Sequence, residues 1–356
     1  MRAVVMRKGA LVLDEVPDPV PSEGEVVVRS LACGICGSDL HALKHTHEMV
    51  AAGGPLAFDP DADLVMGHEF CGEVMESVAG LAAGTRVCSV PMTLHDGAVA
   101  AVGYSNAVPG AYGEYLLLRQ DALLPVPNGL PTDHAALTEP MAVGLHAVEM
   151  ARLAPDDVPL VIGCGPVGLA VILALKLKGA GPVIAADFSP ARRALAERCG
   201  ADVVLDPAEH SPYDRWQQLA ALSVDGALLP ENPLTGAPTL RPGVFFECVG
   251  VPGVLDQMMV GAQRGCRFVV VGVCMQEDVI RPLVAINKEL NLQFVLGYTP
   301  EEYAATLGHL AEGRLEVGEL ITGHVGLEGV ADAFETLATP AHHCKIVVEP
   351  WKDARA

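Results

Sequence analysis

Three residues in the first 140 positions, Cys36, His68 and Glu139, are of types that bind zinc. A thiolate, an imidazole and a carboxylate suit Zn²⁺, and three protein ligands leave a fourth position for water or substrate. A metal ion at such an open position polarises a bound oxygen as a Lewis acid. The set therefore indicates a Lewis acid, which together with the dinucleotide site described next points to redox chemistry on an alcohol or a carbonyl. The alternative interpretation is a coincidence of buried residues.

A glycine-rich segment, Gly163-Cys164-Gly165-Pro166-Val167-Gly168, lies between an apolar strand-like run and the apolar helix-like run 167–177. In this context the glycines allow a tight turn, a close backbone approach to a pyrophosphate and close packing of helix on strand. The helix N-terminus supplies unpaired N–H groups for phosphate. The alternative is a plain glycine turn with a helix-capping Asp. The pattern predicts a dinucleotide site with contacts at Gly163, Gly165, Pro166, Val167 and Gly168.

The preference for one dinucleotide depends on Asp187, which ends the next predicted strand. An acid at this place accepts hydrogen bonds from the adenosine ribose and repels a 2′-phosphate, so NAD is predicted over NADP. Arg192 and Arg193 oppose this prediction, because nearby arginines can accommodate that phosphate. Gly272, at the end of a later predicted strand, is a further candidate cofactor contact.

The chain shows two patterns of predicted secondary structure. Short β-like runs with Gly/Pro turns fill the first third, at 25–32, 71–78 and 85–90, which is typical of a β-barrel-like domain. After a helix-like stretch at 132–150, strands and helices alternate, as in a doubly wound parallel sheet. The predicted strands are 160–162, 183–187, 203–206, 244–249, 268–272 and 293–296, with helices at 190–199 and 301–312 and a last strand at 345–350.

The composition excludes several classes of function. The chain has 356 residues, 51% of them hydrophobic, and a formal net charge of −21. Such a charge opposes binding to nucleic acid or anionic membranes. The ten cysteines of this long chain are expected to be reduced, and with no secretory signal the predicted location is cytoplasmic. The uncharged run 158–175 contains glycines and a proline, which favours strand, turn and helix over a membrane span.

Four stretches in this order resemble the medium-chain dehydrogenase/reductase superfamily: GICGSDLH at 34–41, GHEF at 67–70, EPMAVG at 139–144 and the glycine turn. Within it the chain looks like the zinc-dependent alcohol dehydrogenases, closest to the sorbitol and polyol dehydrogenase branch. The resemblance implies an α/β protein with a GroES-like β-barrel catalytic domain and a Rossmann domain. We expect the catalytic domain at 1–150 and again at 288–356, and the Rossmann domain at 151–287.

The resemblance also implies roles for individual residues. Cys36, His68 and Glu139 would be the zinc ligands, with Glu69 as an alternative ligand that approaches the metal when substrate or water exchanges. Asp39 would orient His68. Ser38 would bond the substrate oxygen, and His41 would pass the proton to solvent through the cofactor ribose. An ordinary surface histidine is the alternative interpretation of His41.

The sequence departs from many relatives in three places. Residues 88–115 contain Cys88 as their only cysteine, so a structural four-thiolate zinc site cannot form there and one zinc per chain is predicted. Gly37 stands where some relatives carry a pyrophosphate-binding arginine. The segment 43–64 is either a solvated loop or a cap over the substrate cleft.

We therefore predict a zinc-dependent, NAD-linked oxidoreductase that acts on a secondary alcohol or a polyol. A zinc-free quinone or enone reductase of the same superfamily, and a non-catalytic dinucleotide-binding sensor, are the alternatives. Its partners would be a small alcohol or carbonyl substrate and further copies of the chain, in a dimer or a tetramer.

Overall fold

The computed structural model describes residues 1–53, 58–127, 129–224, 227–228, 239–339 and 343–352. Two units divide the chain, one formed by Met1–Pro140 with Thr299–Ala356 and the other by Met141–Tyr298. Among the described residues, no helix is both long and apolar enough to cross a membrane.

The described strands, in chain order, are β1 (Arg2–Arg7), β2 (Ala10–Glu15), β3 (Glu25–Gly34), β4 (Leu64–Val65), β5 (Glu69–Val74), β6 (Arg86–Cys88), β7 (Met92–His95), β8 (Ala98–Ala101), β9 (Tyr115–Arg119), β10 (Leu124–Pro125), β11 (Val158–Ile162), β12 (Ile184–Ala186), β13 (Val203–Leu205), β14 (Ser223–Val224), β15 (Ala227–Leu228), β16 (Gly243–Glu247), β17 (Arg267–Val270), β18 (Asn291–Phe294), β19 (Ile321–Val325) and β20 (Lys345–Val348). The described α-helices are α1 (Gly37–Lys44), α2 (Thr46–Ala52), α3 (Thr132–Ala136), α4 (Thr138–Met150), α5 (Pro166–Leu177), α6 (Pro190–Arg198), α7 (Pro212–Ala220), α8 (Val254–Gly261), α9 (Pro282–Lys288), α10 (Pro300–Ala311) and α11 (Val330–Ala338).

The first unit is built around the long strand β3. Antiparallel partners β5, β9 and β20 all pair with it, in a sheet that continues through β6 and β10 on one side and β19 on the other. A smaller sheet has the order β2-β1-β4. Alternate residues of β3 such as Val26 and Val28 are buried, as expected for a strand with one face on a core. Because β3 ends at Gly34, Cys36 lies just beyond the end of this central strand.

The second unit is a parallel sheet with the order β13-β12-β11-β16-β17-β18. Leu160, Ile184, Phe245 and Phe268 from four of these strands form its core with Trp216 of α7. The predicted doubly wound α/β sheet is confirmed, and each of its six predicted strands begins and ends within two residues of the observed one. The order reverses between β11 and β16, which is where folds of this type open a crevice for ligands.

Two predicted segments look different in the structure. The helix expected at 132–150 is two helices, because Leu137 N donates to His134 O in a tightened turn between α3 and α4. The segment 43–64 begins with the helix α2, while residues 54–57 lie outside the described residues, so its role stays open.

Candidate active site

The thiol of Cys36, the imidazole of His68 and the carboxylate of Glu69 come together in the first unit. Each offers a ligand atom, and these atoms all lie within 4.8 Å of one another. Cys36 precedes α1, His68 precedes β5, and Glu69 is the first residue of β5. Cys36 is partly exposed and the other two are buried. A thiol, an imidazole and a carboxylate held this close supply the sulfur, nitrogen and oxygen ligands that a divalent cation such as zinc accepts.

The pKa of the Cys36 thiol also supports a cation at this site. Burial, followed by the charge of Glu69, raises the pKa of the Cys36 thiol above its usual value, although His68 opposes the change. A bound zinc ion would remove this penalty, because a thiol that coordinates a metal is deprotonated. The site is therefore arranged so that a cation stabilises it.

The buried carboxylate of Asp39 lies behind this group. Its Oδ1 is 3.3 Å from His68 Nδ1, in a geometry closer to an ion pair than to an aligned hydrogen bond. Asp39 also accepts hydrogen bonds from the Tyr112 hydroxyl at 2.6 Å, the Tyr104 hydroxyl at 3.1 Å and the Cys36 backbone N–H at 3.0 Å. Burial alone would raise the pKa of Asp39, but His68, the Tyr112 hydroxyl and the Cys36 N–H hold it below its usual value. An ionised Asp39 in contact with His68 has the position that the resemblance implies for an orienting group.

Ser38 and His41 both lie on α1. Ser38 Oγ is 3.4 Å from His68 Nε2 and accepts a hydrogen bond from the Tyr104 hydroxyl at 2.9 Å. His41 is half-buried, and its buried Nδ1 makes no hydrogen bond with the described residues. Burial, and then the charges of His45 and Lys44, lower the pKa of His41, so its imidazole stays neutral to a lower pH than usual.

Glu69 has a partner that the sequence analysis missed. Lys345 Nζ donates to both carboxylate oxygens, at 2.7 and 2.8 Å, and to the Ile35 carbonyl at 3.0 Å. Glu69 is fully buried and Lys345 is 2% exposed. Burial would lower the pKa of Lys345, but the charge of Glu69 outweighs it and raises that pKa. The signal available in the sequence was a lysine at the start of an apolar strand. Tyr104 and Tyr112 were also missed, and their glycine-rich surroundings gave no sign of a role.

Glu139 lies in the first turn of α4 and is 8% exposed. It is not a member of the described group of ligand atoms within 4.8 Å. It stands near Tyr303, whose pKa is raised by burial, by Cys88 and by the charge of Glu139. The structure thus brings ligand atoms of Cys36, His68 and Glu69 within 4.8 Å of one another, and Glu139 is a buried carboxylate of the same unit outside that group.

In the second unit the glycine-rich segment joins β11 to α5. Gly163 has a φ of +92°, and Gly165 is the residue before α5, whose first two residues are Pro166 and Val167. A Cβ on Gly168 would stand 1.9 Å from the Gly163 carbonyl oxygen, so only glycine lets the helix pack this closely on the strand. Gly272 follows β17, where a Cβ would stand 2.4 Å from Gly250 N.

Asp187 follows β12 and faces this turn. One carboxylate oxygen accepts from Cys164 N at 2.8 Å and the other from Ser189 N at 2.7 Å. The two arginines differ in their contacts. Arg193 pairs with Asp206 at 2.9 Å, whereas an Arg192 nitrogen is 3.9 Å from an Asp187 oxygen.

Residues 88–115 form the hairpin of β7 and β8 with its flanking loops. Cys88, their one cysteine, is buried and donates to the Ala135 carbonyl at 3.3 Å. A site of four thiolates has no ligands in this part of the chain.

Known protein families match both units. The alcohol dehydrogenase GroES-like domain matches residues 22–128, and the zinc-binding dehydrogenase family matches residues 166–312. The chain is 30% identical to (R,R)-butanediol dehydrogenase of Bacillus subtilis (strain 168), over 95% of this chain and 96% of that protein. It is 28% identical to sorbitol dehydrogenase of the same organism, over 98% and 97%. A crystal structure of 2R,3R-butanediol dehydrogenase from Bacillus subtilis superposes with a TM-score of 0.79 at 29% identity, covering 98% of this chain and 99% of that one.

Proposed function

Because the chain belongs to the zinc-dependent alcohol dehydrogenases of the medium-chain dehydrogenase/reductase superfamily, we propose that it oxidises a secondary alcohol or a polyol with NAD as hydride acceptor. The butanediol and sorbitol dehydrogenases that resemble it support this substrate class. The observation that carries the proposal is the group formed by Cys36, His68 and Glu69, backed by Asp39.

The residues of the first unit would hold the metal and move the proton. Cys36, His68 and one glutamate would hold zinc, which when bound supplies a Lewis acid that lowers the pKa of a substrate hydroxyl. Ser38 Oγ would accept the hydroxyl proton as it releases its own toward His41, and His41, kept neutral by its lowered pKa, would pass that proton to solvent. Asp39 would keep His68 in the orientation in which Nε2 is free to bind the metal.

For the third zinc ligand we propose Glu139 in the resting enzyme and Glu69 as a transient ligand. Both oxygens of Glu69 are engaged by Lys345, which opposes direct coordination. Glu139→Ala should then lose zinc on dialysis, whereas Glu69→Ala should retain about one zinc per chain and turn over more slowly. The opposite pattern would assign the ligand to Glu69.

The residues of the second unit would hold NAD, which supplies the hydride acceptor. Gly163, Gly165, Pro166, Val167 and Gly168 would approach its pyrophosphate, and Gly272 would provide a further contact. Asp187 would bind the ribose hydroxyls, since each of its oxygens accepts one N–H and retains capacity for a second hydrogen bond. Arg193 is engaged by Asp206, which leaves Arg192 as the remaining candidate contact for a 2′-phosphate.

We further propose that the chain forms a homo-oligomer through the β18 edge of the second unit. Several large apolar side chains on and near this edge strand are exposed: Val279 at 81%, Leu283 at 67%, Ile286 at 69%, Phe294 at 63% and Leu296 at 75%. All five fall within residues 279–296, and large exposed apolar side chains gathered in this way favour an interface. Phe294→Lys should lower the mass measured by analytical ultracentrifugation, and a monomeric wild type would contradict the proposal.

A direct test is a screen of secondary alcohols and polyols with NAD and NADP, run beside elemental analysis. We expect about one zinc per chain and NAD reduction that stops when the zinc is chelated. Turnover that survives complete removal of zinc would indicate a zinc-free reductase instead.

A further inference from the structure

Tyr104 is a buried tyrosine that contacts three residues of the metal site. It follows β8 and is 3% exposed. Its hydroxyl is 2.9 Å from Ser38 Oγ and 3.1 Å from Asp39 Oδ1. Its ring lies 5.2 Å from the His68 ring, centroid to centroid. A buried hydroxyl needs hydrogen-bond partners, and these two side chains supply them.

One phenolic proton has to serve both partners. A tyrosine hydroxyl donates one hydrogen bond and also accepts, whereas an ionised carboxylate only accepts. When the proton is directed to Asp39, the Tyr104 oxygen can accept from the Ser38 hydroxyl. When it is directed to Ser38, the Ser38 hydroxyl keeps its own proton for another acceptor. In both arrangements a hydrogen bond joins Tyr104 to Ser38.

We propose that Tyr104 is a positioning residue for Ser38, whose hydroxyl it holds where that hydroxyl can take the substrate proton. The second bond, to Asp39, fixes the Tyr104 hydroxyl itself to a charged and buried anchor. Ser38 and His68 are thus placed relative to each other through the same carboxylate. The inference rests on the proposed function, because it needs Ser38 to act on the substrate hydroxyl.

Tyr112 offers a matched control. Its hydroxyl is 2.6 Å from Asp39 Oδ2, and its other hydrogen-bond contact is the Gly34 carbonyl at 3.4 Å. It is buried like Tyr104. The two tyrosines therefore share Asp39 as an acceptor, and only Tyr104 is bonded to Ser38. An effect transmitted through Asp39 should appear in both Phe variants, whereas an effect transmitted through Ser38 should appear in Tyr104→Phe alone.

The experiment is a double-mutant cycle on the zinc-loaded, full-length enzyme. Tyr104→Phe should lower kcat for alcohol oxidation by about five- to tenfold, the usual effect of one lost hydrogen bond, and leave KM for the dinucleotide unchanged. In a Ser38→Ala background, Tyr104→Phe should cause little further loss, because the two residues act as a unit. Tyr112→Phe should instead have the same effect in both backgrounds. In a Ser38→Thr background, which restores a hydroxyl, Tyr104→Phe should again lower kcat.

Two further measurements on each variant complete the test: zinc content by chelator competition, and the melting temperature, which reports whether the variant folds. Tyr104→Phe should hold zinc as the wild type does. Independent, additive effects of Tyr104→Phe and Ser38→Ala would overturn the proposal, and so would loss of zinc from Tyr104→Phe. If Tyr104→Phe does not fold, Tyr104→Met also lacks a hydrogen-bond donor, and the same coupling to Ser38→Ala decides. A wild type that binds zinc but oxidises no alcohol would instead refute the proposed function.

Discussion

The buried ion pair between Lys345 and Glu69 offers a quantitative test of the structure. We predict that Lys345→Met destabilises the zinc-free protein by about 3–5 kcal/mol, which is typical when one partner of a buried pair is removed. Two contacts of Lys345 Nζ to Glu69, at 2.7 and 2.8 Å, disappear, and the fully buried carboxylate is left without its counter-charge. Methionine is close to lysine in length, so the cavity contribution should be small.

Two further variants separate charge from packing. Lys345→Met combined with Glu69→Gln removes the uncompensated charge, so the double variant should be more stable than Lys345→Met alone. Lys352→Met is the matched control, since this lysine lies in the same unit, is 42% exposed and stands 3.6 Å from Glu349. The loss for an exposed pair of this kind should stay within about 0.5 kcal/mol. Added zinc should reduce the loss in Lys345→Met, because a cation near Glu69 replaces part of the missing charge.

Urea unfolding followed by tryptophan fluorescence can assign the change to the first unit. The chain has two tryptophans, Trp216 in the second unit and Trp351 in the first. In a Trp216→Phe background, Trp351 reports the first unit alone, where its Nε1 donates to the Ser30 carbonyl at 2.9 Å. A loss of less than about 1 kcal/mol for Lys345→Met in the zinc-free protein, or a loss equal to that of Lys352→Met, would refute the reasoning.

Two other predictions concern the cofactor and the proton path. The ratio of kcat/KM for NAD to that for NADP should exceed one in the wild type. It should fall in Asp187→Ala, because this variant lacks the carboxylate that repels a 2′-phosphate. A wild type that prefers NADP would contradict this prediction. The pKa of His41 is lowered, so the imidazole remains a proton acceptor below the ~6.5 at which a histidine usually titrates. The acidic limb of the pH profile of kcat/KM for alcohol oxidation should therefore lie below that pH, and its position should change in His41→Asn. An unchanged pH profile would show that His41 is not on the proton path.

The second unit could be predicted from the sequence because its signals are local. Each strand of a parallel sheet is buried on both faces and reads as a short apolar run between turns, and each crossover helix has its own pattern. The glycine-rich turn carries its chemistry within six consecutive residues. The break between α3 and α4 did have a local signal, because Pro140 stands in the first turn of α4 and cannot donate to the carbonyl of Ala136, four residues earlier.

The contacts of the first unit could not be predicted in this way, because they join distant parts of the chain. Lys345 meets Glu69 across 276 positions, and Tyr112 meets Asp39 across 73. Both contacts depend on which strands pair and in which register. Gly34 of β3 lies opposite Glu69 on β5 and opposite Val347 on β20, so β3 brings the two side chains together. No local pattern specifies that register.

His68 and Glu69 are neighbours in the sequence, yet both offer a ligand atom to the same group. Neighbouring residues of a strand point to opposite faces, so the sequence suggests that Glu69 turns away from the face used by His68. In the structure β5 begins only at Glu69, and His68 follows Gly67, whose φ of +104° lies outside extended geometry. Alternation therefore does not govern this pair, and ligand atoms of both side chains lie within 4.8 Å of each other. If Glu139 is the resting ligand, as proposed, Glu69 is close enough to Cys36 and His68 to compete with it, and the outcome depends on how tightly Lys345 holds the Glu69 carboxylate.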